Sequence, residues 1–382
     1  MYEFDSNKEL SVQDLDLPVI RATSVSEWNA QRAELLELFT QTIFGTVPDK
    51  STVSYDLVES GEYGSAMRKQ ISITVRVENK RHIFTLLVYI PREKIKGLFT
   101  CLNFSGNHTV TDDKKVLLPQ EYYRKKHSPP REFRGEKKEC YIVDEIIQSG
   151  YGFATIYAGD INPDKKLKQE ESVREMFPDT YTWRTIAAWS WGLSRVIDYF
   201  ETDSDIDESR VIVVGHSRMG KAALWAAAQD ERFVMAISNN SGCTGAALTR
   251  HFSGESIAQI TTSFPHWFLD SYASYVGREE DLPVDQHQML ALIAPRPIYV
   301  ASAVEDDWAD QEGEFLSCLA ARPAYELYGK ELFPSETIPQ TDKPIIKSSI
   351  GYHIRSGKHA LTAFDWRAFI QFANHHFTPK DL

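Results

Sequence analysis

The chain has 382 residues, of which 42% are hydrophobic and 25% charged, and carries a formal net charge of −12. That balance is typical of a soluble globular protein, and no apolar run approaches the length needed to cross a bilayer. The acidic excess argues against a nucleic-acid backbone as partner, since such binding rests on clustered lysine and arginine neutralising phosphates. Cys101, Cys140, Cys243 and Cys318 are far apart, with neither zinc spacing nor a redox pair, and are expected to be free thiols.

The N-terminus, MYEFDSNKELSVQDLDLP, lacks the basic start, apolar core and small-residue cleavage site of a secretion signal. A cytoplasmic protein acting on imported material is therefore the expectation, or a secreted or periplasmic one if a leader has been removed. Residues 26–44 place apolar side chains at helical spacing behind Ser26 as the expected cap, with Gly45 and Pro48 ending the segment. Residues 52–60, 67–77 and 81–90 read as strands, the last two joined at Glu78-Asn79, and suggest an antiparallel edge.

From residue 98 onward short apolar strands alternate with amphipathic helices, the strands being expected at 98–104, 152–157, 211–214, 234–238, 297–302 and 345–350. Such alternation predicts a mainly parallel sheet covered on both faces. The basic, proline-bearing stretch 109–137 has no clean period and reads as a surface excursion between two of these strands.

The most informative run is VIVVGHSRMGKAALWAAA, residues 211–228. A β-branched strand leads into a sharp turn carrying Ser217 and then into a helix, which is the pattern that presents a serine hydroxyl above a parallel sheet and against a helix N-terminus. The usual form is Gly-x-Ser-x-Gly; here Met219 takes the second glycine's place and the glycine follows at Gly220.

A serine needs a base within hydrogen-bond reach and a carboxylate to orient that base. In α/β-hydrolases the three follow in the order Ser, acid, His. His359 lies in a glycine-bearing loop between a strand and the last helix and is the expected base; His353 is its near rival. The run VEDDWAD after the strand PIYVASA offers Glu305 as the acid, with Asp306 as the alternative. For the oxyanion, the backbone N–H and the guanidinium of Arg218 are candidates, together with a donor from the cluster Ser105 to His108.

These residues resemble those of the glucuronoyl esterases, which cleave the ester between the 4-O-methyl-glucuronic acid of xylan and an alcohol such as lignin. The matches run in order from about residue 97 to 376: LNFSGNHT at 102–109, AWSWGLSRVIDY at 188–199, Gly-x-Ser-Arg-x-Gly-Lys at 215–221, SGCTGAAL at 241–248, SFPHWF at 263–268 and DQHQMLALIAPRP at 285–297. The pattern is most similar to the bacterial members. One departure stands out. Better-studied members keep their acid in a Glu-Ser-Gly run after the strand following the nucleophile helix, and this chain has Asn240-Ser241-Gly242. An amide cannot supply the charge, so the acid is expected at Glu305, where other members carry theirs.

The resemblance implies that Lys221 binds the hydroxyls of the uronic acid and that Trp308 lies beside the sugar ring, with Glu255, His266 and Trp267 as further substrate contacts. The expected fold is one α/β-hydrolase domain, residues 1–382, built as a three-layer sandwich with an N-terminal helix and β-edge (1–96) on a hydrolase core (97–382). The expected activity is that of a serine carboxylic-ester hydrolase acting on esters of glucuronic acid. It needs neither metal nor organic cofactor, and its partner is a small carbohydrate rather than a nucleic acid or membrane. An acetyl xylan esterase or general carbohydrate esterase is the alternative, and a non-catalytic carbohydrate-binding homologue the second.

Overall fold

The computed structural model describes residues 10–48, 52–93, 95–119, 133–166, 171–331, 333 and 336–377. The first long helix, α1 (Val25–Phe39), is capped by Ser24, whose hydroxyl accepts from Glu27 N. The expected cap was Ser26, which is exposed. The expected continuation to residue 44 is a wider π-helical turn, Thr40–Phe44, which seats Phe44 against Trp225 with ring centroids 4.3 Å apart.

Three long strands follow, β1 (Thr52–Tyr63), β2 (Ala66–Val77) and β3 (Lys80–Pro91), all antiparallel. Val77 pairs with Lys80, so Glu78 and Asn79 form a two-residue hairpin, with Glu78 at φ 52°. The remaining strands are β4 (Leu98–Asn103), β5 (Gly152–Tyr157), β6 (Val211–His216), β7 (Met235–Asn239), β8 (Ile298–Ala303) and β9 (Ile350–Arg355). They join one sheet in the order β1-β2-β3-β5-β4-β6-β7-β8-β9, parallel from β5 to β9. This is the expected mainly parallel sheet with an antiparallel edge.

Successive side chains leave a strand on opposite faces. Val211 and Val213 accordingly join one buried cluster with Leu98 and Leu102, while Ile212 and Val214 join another with Phe99 and Cys101. The first cluster packs under α2 (Thr185–Phe200), α3 (Arg218–Gln229) and α4 (Gln311–Glu326); the second lies under α5 (Ala363–Phe377) and the short helices of residues 138–148. No helix among the described residues is long and apolar enough to cross a membrane. All four cysteines are free. Residues 120–132 of the basic stretch 109–137 lie outside the described residues.

One expected strand is displaced. Residues 345–350 were the apolar choice, yet the last strand is Ile350–Arg355, and Ile345 makes only an isolated bridge to Tyr352. The pattern misled because this edge strand is fully buried and carries polar side chains that are all satisfied. His353 bonds Tyr299 Oη and Asp365 Oδ1, each at 2.9 Å, and Arg355 Nε donates to Asp365 at 3.0 Å.

Candidate active site

In an open parallel sheet the residues just beyond the carboxyl ends of the strands share one crevice. Here β4 delivers Phe104 and Ser105, β6 delivers Ser217, β7 delivers Asn240, β8 delivers Asp306 and β9 leads to His359. Ser217, Arg218, His216 and His359 line a cleft of about 400 Å³ with Phe104, Ser105 and Tyr141.

The turn at Ser217 is strained, with φ 57° and ψ −130°, a region that non-glycine residues occupy only where the surroundings impose it. Close packing imposes it. A Cβ on Gly215 would lie 2.0 Å from Met219 O, and one on Gly220 would lie 2.8 Å from Ser241 Cβ. Gly220 is thus where the helix passes the loop after β7, and buried Met219 needs no such freedom. Ser217 N donates to Asn239 O at 2.8 Å, which fixes the turn, while the amides of Arg218 and its successors open α3.

His359 Nδ1 lies 2.6 Å from Asp306 Oδ2, and Asp306 is buried. The carboxylate facing the histidine is therefore Asp306, not the Glu305 preferred from the sequence. Glu305 is exposed, and its backbone N–H is used on Gly357 O at 3.0 Å. The rest of the acidic loop is divided: Asp307 faces solvent, while Asp310 caps α4 and bonds His251 Nδ1 at 2.9 Å. His353 is fully buried in its strand and does not reach the cleft's lining.

Asn240, at φ 49°, donates Nδ2 to Asp306 Oδ2 at 2.9 Å. A carboxylate only accepts, so the amide nitrogen faces it. Asn240 thus supports the carboxylate that stands in place of its own missing charge.

Lys221 is buried and donates Nζ to Ser241 O at 2.6 Å and to Cys243 O. Burial lowers its pKa against the opposing charge of Glu255. Burial in turn raises the Glu255 carboxyl, while Lys221, a hydrogen bond from the Trp308 side chain, Arg218 and His359 pull it back. Lys221, Glu255 and Trp308 are thereby brought together beside the Ser217–His359 pair, with Trp308 55% exposed.

His266 and Trp267 were expected as substrate contacts, and the structure gives them a different task. His266 Nε2 and Trp267 Nε1 lie 2.8 and 2.7 Å from Asp164 Oδ1, and Asp164 Oδ2 accepts from Arg218. Burial alone would raise Asp164, but these three donors outweigh it and hold the carboxyl below its ordinary range. The Arg218 guanidinium also lies over the rings of Trp267 and Phe264, at 4.8 and 5.0 Å. Asp164 thus ties His266 and Trp267 to Arg218, and neither ring is among the residues lining the cleft. Of the cluster proposed for the second oxyanion donor, Ser105 lines the cleft, whereas Gly106 N is taken by Asn103, Asn107 is tied to Asn103 and Thr85 O, and His108 is fully buried.

The chain is similar to known carbohydrate esterases. The family model described as "Glucuronyl esterase, fungi" matches residues 141–329. Carbohydrate esterase MZ0003, from an unknown prokaryotic organism, is 42% identical over 381 residues, covering 94% of this chain and 87% of the relative. The solved structure of a promiscuous CE15 esterase from the marine bacterial metagenome superposes with a TM-score of 0.87 at 39% identity, covering 98% of this chain and 100% of that one. The glucuronoyl esterase from Solibacter usitatus gives a TM-score of 0.86 at 37% identity, covering 94% and 97%. The chain belongs to the glucuronoyl esterase family.

Within this family of α/β-hydrolases, the residues missed from the sequence are the supporting ones. Asp164 follows β5 in INPDKK, a stretch with no motif, and only the fold brings it to Arg218. Asp365 and Asn239 look like an ordinary helix residue and strand end, yet Asn239 Nδ2 donates to Asp365 at 3.0 Å. The one usable signal is Asn240, whose amide cannot supply a charge and directs attention to the acidic run that holds Asp306.

Proposed function

We propose that this glucuronoyl esterase hydrolyses alkyl or arylalkyl esters of (4-O-methyl-)glucuronic acid through Ser217, His359 and Asp306. In that reading Ser217 Oγ attacks the ester carbonyl and passes its proton to His359 Nε2. Asp306 holds Nδ1–H and stabilises the imidazolium that forms. The Arg218 backbone N–H, its guanidinium and a donor at Ser105 receive the developing oxyanion. His359 then gives its proton to the leaving alcohol, and water releases the acyl group. Lys221, Glu255 and Trp308 take the sugar, because a buried amine, a carboxylate and a flat indole together match a ring bearing hydroxyls on its edge and C–H bonds on its face.

The observation that carries this reading is the 2.6 Å contact between His359 Nδ1 and Asp306 Oδ2 behind a serine held in a strained turn in the same cleft. The test is kcat/KM on benzyl or methyl glucuronate for the wild type and Ser217→Ala. Loss of turnover with Ser217 supports it. Wild type that ignores the uronate ester yet cleaves an acetyl ester through Ser217 overturns the substrate and leaves the triad standing. Whether the enzyme works on polymeric xylan outside the cell or on imported fragments is read from the native protein in culture supernatant and lysate.

A further inference from the structure

His216, the residue before the nucleophile, has no part in the mechanism above, although it lines the cleft and its ring centroid lies 4.7 Å from that of His359. Its tautomer follows from its neighbours. Asp365 Oδ1 can only accept, and it takes Nδ2 of Asn239 at 3.0 Å as well as His353 Nε2 at 2.9 Å. The Asn239 side chain therefore turns its oxygen toward His216, whose Nδ1 lies 2.6 Å from it. An oxygen acceptor there places the single proton of a neutral imidazole on Nδ1. Nε2 is left with a bare lone pair, and it hydrogen-bonds no other described residue. Burial, reinforced by the nearby His359, pushes His216 down to about 4, against the pull of Asn239, Asp365 and Asp306, so the ring is neutral in neutral solution.

We propose that His216 Nε2 is the acceptor that seats the hydrolytic water on the acyl-enzyme and favours water over alcohols as the attacking group. The inference rests on the reading of Ser217 and His359 as nucleophile and base. The water oxygen forms its bond to the acyl carbon, one of its protons moves to His359 Nε2, and the other stays in place, donated to His216 Nε2. The carbon–Oγ bond then breaks, Ser217 Oγ takes the proton back from His359, and the uronic acid leaves. An alcohol has a single O–H, which His359 requires. Its oxygen would turn a lone pair toward the lone pair of His216, while its carbon substituent points down the cleft.

The experiment is to turn over benzyl glucuronate in water containing a fixed concentration of methanol and to measure the ratio of glucuronic acid to methyl glucuronate. Measured as initial rates, before methyl glucuronate accumulates and is itself hydrolysed, that ratio is set by the acyl-enzyme alone, so a variant that merely lowers the amount of folded protein does not move it. His216→Phe is expected to lower the ratio by roughly three- to tenfold, the range of one neutral hydrogen bond. His216→Gln, whose side-chain oxygen can accept, stays within about twofold of wild type on the same scale. An unchanged ratio in His216→Phe overturns the proposal. If that variant gives no active protein, His216→Leu carries the same test with the same outcomes. If the wild type does not cleave benzyl glucuronate but acylates Ser217 with an acetyl ester, the substrate reading fails by itself, and the acetic acid to methyl acetate ratio still decides the role of His216.

Discussion

Asn240 and His359 meet on one atom: the amide nitrogen of the first lies 2.9 Å, and the ring nitrogen of the second 2.6 Å, from Oδ2 of Asp306. Asn240 and Asp306 are thus neighbours across the gap between β7 and β8. With an amide at Asn240, the carboxylate behind the imidazole is that of Asp306.

Asp306→Asn keeps the shape and removes that charge. Loss of kcat/KM by about 10³- to 10⁴-fold is expected, as for acids that orient a histidine base. Glu305→Gln, on an exposed side chain, is expected to stay within about twofold of wild type. Steady-state kinetics on one ester decide between them, and the reverse ranking would return the acid to Glu305.

Asn240→Asp sets a second carboxylate at hydrogen-bond distance from Asp306. Two like charges that close cannot both ionise freely, so the apparent pKa of the pair rises. Activity is then lost at a higher pH as the solution is acidified, and the acid limb of the kcat/KM profile is expected to move upward by about one unit or more. A profile that superposes on that of the wild type would sink the idea that the amide matters electrically.

Trp308 is 55% exposed, so little packing is lost on truncation. Trp308→Ala is expected to leave the melting temperature within about 2 °C while raising KM for a uronate ester by about tenfold. Lys221→Met should do the opposite to stability, because it strands two buried carbonyls and the carboxyl of Glu255. Thermal unfolding run beside kinetics separates the two residues.

Glu314 gives a pH signature in stability. It is fully buried under the loop after β7, accepting from Ser241 N, Gly242 N and Ser302 Oγ at 2.9, 3.0 and 2.6 Å. Burial, only partly offset by these donors, pushes it up to about 8. The folded pKa exceeds the unfolded one, so the protonated form is favoured on folding. Its contribution is complete below about pH 4.3, the unfolded value, and is lost progressively as the pH rises to the folded value. His216 acts with the opposite sign, since its folded pKa is depressed to about 4 and its contribution grows as the pH rises. The difference between wild type and Glu314→Gln isolates the carboxyl. The urea midpoint of the wild type relative to the variant is expected to fall between about pH 5 and 8. A constant difference would show that Glu314 stays ionised in the fold.

The sequence by itself marks Ser217 and His359, which the structure brings to one cleft, because each depends on a local pattern: a β-branched strand entering a glycine-flanked turn, and a glycine-bearing loop before the last helix. The alternation of short strands and helices likewise announced the sheet, whose two faces are filled by successive residues of the same strands. Which of two adjacent carboxylates faces the histidine is not a local property. The chain leaves β8 through a turn at Val304 and Glu305, and the path of that turn buries Asp306 and exposes Glu305. The last strand was misplaced for a related reason. Its His353 and Arg355 look unsuited to a buried strand until Tyr299 on the neighbouring strand and Asp365 on the last helix satisfy them. His266 and Trp267 carried the family pattern, but only the fold turned them onto Asp164 and made them the support of Arg218. Side chains whose role follows from their own neighbours in the chain can be named from the sequence, whereas those whose role is to satisfy a buried partner wait for the tertiary structure that brings the partner near.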